Sequence, residues 1–161
     1  MVFKGPKTAI FSARVDPPHV GHVLTIKNLF SKEKVGIEIT NVIVVILDYP
    51  EREACTAEEA VDLFRQVFHG TSYNISFITN KIHFGRITKE QYLELLEKIY
   101  VDPDEAVYFS GNEEVIEHFK NNLQMPYKHV PRSRDYSGTE EREIMRRGKM
   151  TLGEYLDEQG V

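Results

Sequence analysis

Cysteine is almost missing from this chain. Among its 161 residues only Cys55 carries a thiol, which excludes an intrachain disulfide and any metal site built from several thiolates, and fits a reducing cytoplasm. Long apolar runs are missing too: none approaches the ~20 residues that span a bilayer. The opening residues MVFKGP lack the apolar centre of a secretory signal, so neither export nor a membrane partner is expected. There is no basic excess. Twenty Lys and Arg against 25 Asp and Glu leave a net charge of −5, the wrong sign for a general nucleic-acid binder. A nucleotide enzyme is not excluded by that charge, because only the local field around the phosphates matters. No G-x-G-x-x-G follows the first strand-like segment and no G-x-x-x-x-G-K-[ST] occurs, which disfavours dinucleotide redox chemistry and a P-loop enzyme. The six histidines form no H-E-x-x-H zinc helix, and Cys55 has no evident activating neighbour.

What is present reads as one domain over residues 1–161, with an ordinary 41% hydrophobic and 28% charged content. Strand-like and helix-like segments alternate. Residues 8–12 (TAIFS) and the nearly unbroken β-branched run 41–48 (NVIVVILD) suit strands covered on both faces. Residues 75–79, 106–110 and 127–130 continue the series. Thr56 with Glu59, and Thr88 with Gln91, have the spacing of capping boxes. The stripe Tyr92, Leu95, Leu96 and Ile99 marks a core-facing helix, and Asn112 suits a helix cap. Ser137 with Glu140, and Thr151 with Glu154, predict two further helices. The order predicts an α/β, Rossmann-like, doubly wound and mostly parallel five-stranded sheet with helices on both faces. Ligands in such folds bind outside the carboxyl ends of the strands, at a topological switch point.

The most informative stretch is Asp16-Pro17-Pro18-His19-Val20-Gly21-His22, which leaves the first strand and opens a helix. Two imidazoles three residues apart share a helical face. At a helix start they lie beside unpaired N–H groups and the positive end of the macrodipole, an arrangement suited to an anion such as phosphate. Gly21 lets a ligand approach the backbone. The bland alternative is that the pair merely caps the helix. Ser137 reads equally as a plain N-cap, and Arg142, Arg146 and Arg147 as a solvated face. His69, His83, His118 and His129 read as ordinary surface or core histidines. Asp48, with Arg52 nearby, suits either acceptor orientation or a loop ion pair.

The run Arg14-Val15-Asp16-Pro17-Pro18-His19-Val20-Gly21-His22 resembles the H-x-G-H signature of the nucleotidylyltransferase superfamily. Residues 135–142 (DYSGTEER) resemble its second signature, I-S-[SG]-T-x-I-R, and 108–112 (YFSGN) resemble its nucleotide-contacting loop. Within the superfamily the chain is most similar to archaeal-type nicotinamide mononucleotide adenylyltransferases, which carry an arginine at the Arg14 position and a T-A-G-E-R segment like Thr56-Ala57-Glu58-Glu59. The chain departs from them at Ala60 and Glu141, and in having no tryptophan, which those enzymes place near the nicotinamide.

The resemblance implies in-line transfer of AMP from ATP to a phosphorylated acceptor, with pyrophosphate leaving and no protein nucleophile. It assigns His19, His22 and Arg142 to catalysis. It assigns Phe11, Ser12, Arg14, Gly21, Gly111, Asn112, Arg134, Ser137, Gly138 and Thr139 to binding the nucleotide and its phosphates. Arg132 and Arg134 flank the last loop, and plain surface charge is their alternative reading. Mg²⁺ would come with ATP, held by substrate and water, so no metal ligand is assigned; Asp16 reads as fixing its loop. The implied partners are ATP and a small phosphorylated acceptor, most readily nicotinamide mononucleotide giving NAD, and the sequence leaves room for a homo-oligomer. A cytidylyltransferase, another adenylyltransferase such as one for pantetheine phosphate, and a non-catalytic nucleotide sensor are the competing readings.

Overall fold

The structure, a computed structural model, describes residues 7–15, 18, 20–51 and 55–130. Five strands form one sheet: β1 (Thr8–Ala13), β2 (Asn41–Leu47), β3 (Ile75–Asn80), β4 (Ala106–Ser110) and β5 (Tyr127–His129). Their order is β3-β2-β1-β4-β5, and every pairing is parallel, so the expected "mostly" parallel sheet is parallel throughout. The chain winds outward from β1 to β3, then returns to lay β4 on the other side of β1. The switch point thus lies between β1 and β4.

Helices cover both faces, as the apolar strands require. Side chains alternate along a strand, so β1, β2 and β4 each feed two cores. Ala9, Phe11, Val42, Val44, Ile46, Val107 and Phe109 meet α1 (Val20–Asn28) and α3 (Ala57–Phe68). Ile10, Ile43, Val45 and Tyr108 meet α4 (Lys89–Lys98) and α5 (Glu113–His118). The Tyr92 and Leu96 half of the α4 stripe is fully buried, with Leu95 and Ile99 packed against its rim.

Both capping boxes form with reciprocal bonds. The Glu59 N–H donates to Thr56 Oγ1 at 3.0 Å and the Thr56 N–H to Glu59 Oε1 at 3.0 Å. Thr88 and Gln91 repeat the pattern at 3.1 and 2.9 Å. Asn112 caps α5 by accepting from the Glu114 N–H at 2.9 Å. Three elements are not announced by the sequence pattern, one of them a single 3-10 turn at Pro103–Glu105 capped by Asp102. A single helical turn, α2 (Lys32–Val35), is set between the Ser31 cap and Gly36 at φ 79°. A π-type turn at Phe119–Leu123 follows α5 and ends at Gln124, φ 54°. The helices expected to begin at Ser137 and Thr151 lie outside the described residues.

Candidate active site

Because all five strands run the same way, their carboxyl ends gather on one edge of the sheet. β1 delivers Ser12, Ala13, Arg14 and Val15 there, and β4 delivers Ser110, Gly111 and Asn112 beside them, as the motif order implies. β5 reaches the same edge, where the Val130 N–H donates to the Ser110 carbonyl at 2.9 Å. The residues assigned from the last signature, Arg134, Ser137, Gly138, Thr139 and Arg142, lie outside the described residues, as do Asp16, His19 and Arg52.

The turn out of β1 is built under strain. Val15 is buried yet holds φ 51°, a left-handed conformation that β-branched residues rarely adopt. Its carbonyl accepts a weak bond from the Cys55 thiol at 3.9 Å, tying this turn to the start of α3. Cys55 is thus an interior structural thiol on this edge. The chain then enters α1, where Gly21 is buried and its carbonyl accepts from Thr25 Oγ1 at 2.9 Å. His22 is half-buried, its ring edge-on to Phe64 of α3 with centroids 6.3 Å apart. Phe11 packs into the core beneath the edge.

Arg14 is exposed on the rim, with its guanidinium 5.7 Å from the centre of the Tyr49 ring at the end of β2. His83, on the loop after β3, lies within electrostatic reach of the same guanidinium. Burial, then Arg14, then Arg86 hold its imidazole below the usual histidine range, so it is neutral near pH 7. Its Nδ1 accepts from the Gly85 N–H at 2.9 Å. A Cβ at Gly85 would lie 2.9 Å from that nitrogen, so any larger residue there would displace the His83 ring. Tyr49 and His83 were not assigned to the site from the sequence. Neither belongs to a signature, and only the strand order brings them beside Arg14. Asp48 continues the β2–β3 ladder, its N–H donating to the Asn80 carbonyl at 2.8 Å. Of the other histidines, His69 and His129 are exposed, and His118 is held between the Ile87 carbonyl (2.6 Å) and Asn122 (2.7 Å), away from this edge.

On the β4 side Ser12 Oγ hydrogen-bonds the Tyr108 phenol. Burial pushes that phenol up to about 12, an effect the Ser12 and Ser110 hydroxyls partly offset. The Asn112 N–H donates to Ser110 Oγ at 3.1 Å. Among the described residues no three His, Cys, Asp or Glu side chains gather as a cation cage, and no helix is long and apolar enough to cross a membrane.

No family profile and no curated protein sequence matches this chain. Solved structures do share its fold. A bifunctional NMN adenylyltransferase/ADP ribose pyrophosphatase from Francisella tularensis, complexed with AMP and an Mn ion, superimposes with a TM-score of 0.66 at 13% identity. That match covers 91% of this chain but 43% of the Francisella protein, so the chain spans less than half of that relative's length. The NadR protein in complex with NR gives 0.57 at 15% identity, over 89% of this chain and 41% of that one. A Plasmodium falciparum nicotinic acid mononucleotide adenylyltransferase complexed with NaAD gives 0.50 at 11% identity, covering 87% of this chain and 84% of its own. At these identities the likeness establishes the α/β fold.

Proposed function

We propose that this chain is an adenylyltransferase that moves AMP from ATP to a phosphorylated acceptor, nicotinamide mononucleotide, releasing pyrophosphate and forming NAD. The carrying observation is the meeting, at the β1/β4 switch point, of the strained turn into α1 with the Ser110-Gly111-Asn112 loop. That crevice is where ligands sit in parallel α/β sheets. The fold-sharing enzymes named above act on nicotinamide or nicotinic acid mononucleotides, which supports the same chemistry here.

The acceptor phosphate attacks the α-phosphorus of ATP, and the bond to the β-phosphate oxygen breaks in line, so the protein's task is positioning and charge stabilisation. His19 and His22, with the N–H groups opening α1, donate to the triphosphate. Arg14 holds phosphate through charge-assisted hydrogen bonds. Ser12, Gly111 and Asn112 border the nucleoside. Ser137, Gly138 and Thr139 cradle the β- and γ-phosphates with Arg134, and Arg142 offsets charge on the departing pyrophosphate. Mg²⁺, arriving with ATP, would offset charge on the triphosphate, and no residue of this chain is assigned to hold it. The test is pyrophosphate release from MgATP, with CTP in parallel, over a panel of nucleotide, pantetheine and alcohol phosphates. Turnover is expected with ATP and a nicotinamide or nicotinic acid mononucleotide. Tight ATP binding with no pyrophosphate from any acceptor contradicts the proposal and indicates a nucleotide sensor.

A further inference from the structure

The backbone ladder between β1 and β4 stops short of the functional edge. Its last pair is Phe11 with Phe109, although β1 runs on to Ala13 and β4 to Ser110. On their outer sides both strands stay paired to the end, through Ala13 with Ile46 and Ser110 with His129. The two strands that border the crevice therefore lose their mutual rungs where the crevice opens.

Three hydroxyls stand in that gap. Residues 108 and 110 share one face of β4, and Ser12 is on the same face of β1. Ser12 Oγ bonds the Tyr108 phenol across the gap. Ser110 Oγ accepts from the Asn112 N–H, and Asn112 caps α5. One hydrogen bond thus ties the end of β1 to β4, and a second local set ties the end of β4 to the start of α5. The Tyr108 ring is fully buried and packs in a three-ring cluster, its centroid 4.0 Å from Phe119 and 5.3 Å from Phe84, which lie 6.2 Å from each other. Its phenol has no route to a ligand and can act only through its neighbours.

We infer that Tyr108 is a positioning residue: the Ser12–Tyr108 hydrogen bond replaces the missing rungs and fixes the β1 loop bearing Arg14 relative to the β4 loop bearing Gly111 and Asn112. The effect on ligand binding rests on the nucleotide reading of this edge; the geometric effect does not. Tyr108→Phe keeps the aromatic stack and removes only the bridging oxygen. Ile87→Val, a buried trimming elsewhere, serves as the control for general loss of stability.

The test measures MgATP affinity by calorimetry, and amide hydrogen exchange along the full chain. Tyr108→Phe should weaken MgATP binding about tenfold, the scale of one lost hydrogen bond, and speed exchange at Arg14 and Asn112 while β2 and β3 are unaffected. Ile87→Val should do neither. Unchanged MgATP affinity in Tyr108→Phe, or exchange at Arg14 and Asn112 no faster than in Ile87→Val, overturns the inference. If the unaltered protein binds no ATP, the nucleotide reading fails and the exchange result alone decides the bridge.

Discussion

Arg14 and His83 are distant in sequence yet within electrostatic reach of each other on the rim, and their coupling can be read directly. The His83 imidazole should titrate below the ordinary histidine value of 6.5 in an NMR pH series. Because burial is the larger cause and Arg14 the second, Arg14→Ala should move the midpoint part of the way back. An unmoved midpoint would contradict the juxtaposition. Among the residues proposed to hold phosphate, His19→Ala and Arg142→Ala should each lower kcat by at least ~10² with circular dichroism unchanged. Near-normal turnover in both removes those roles. The proposed roles of these residues rest on H-x-G-H and S-G-T, short local patterns that a sequence displays directly. Tyr49 and His83 belong to no such pattern. Their part in the rim depends on β2 and β3 lying side by side next to β1, which no local pattern encodes.

The capped helices follow the same logic of local legibility. Thr56 and Thr88 each satisfy an orphan N–H through a bond visible in the sequence as T-x-x-E and T-x-x-Q. Thr56→Ala should cost about 1 kcal/mol, measurable as a lower midpoint in urea. By contrast α2 presents no apolar stripe, and none of its residues is buried; Ser31 and Gly36 alone define it. The π-type turn arises from packing Phe119 and Leu123 into the second core, so propensity could not announce it. Tyr100, just past α4, shows the reverse case. It holds φ 58° while 96% exposed, so it bears left-handed strain with no packing in return. Tyr100→Gly should stabilise the protein by about 0.5–1 kcal/mol, seen as a Tm rise of roughly 1–4 °C. A fall in Tm would show that the ring contributes contacts that its exposure denies.

The parallel sheet makes the molecule's two faces and its functional edge a single design. Strands apolar on both sides need helices on both sides, and one strand direction collects every carboxyl end together. The buried phenols give this core an alkaline limit. Tyr108 is raised from 10.0 to about 12, and burial and the neighbouring Tyr108 raise Tyr92 as well. Below pH 10 folded and unfolded chains both keep these protons. Above it the unfolded chain loses them first, so stability should fall as pH rises from 10 toward 12, by on the order of 2–3 kcal/mol for Tyr108. Tyr108→Phe should flatten that decline in chemical denaturation series, and an unchanged slope would contradict the burial-driven shift.

AMP transfer is followed most directly at the α-phosphorus itself. ATP radiolabelled at that atom is incubated with the protein, Mg²⁺ and nicotinamide mononucleotide, and the products are separated. The label should appear in NAD, with unlabelled pyrophosphate formed in equal amount. Label that stays in ATP with every nucleotide acceptor, or leaves as free AMP, would contradict it.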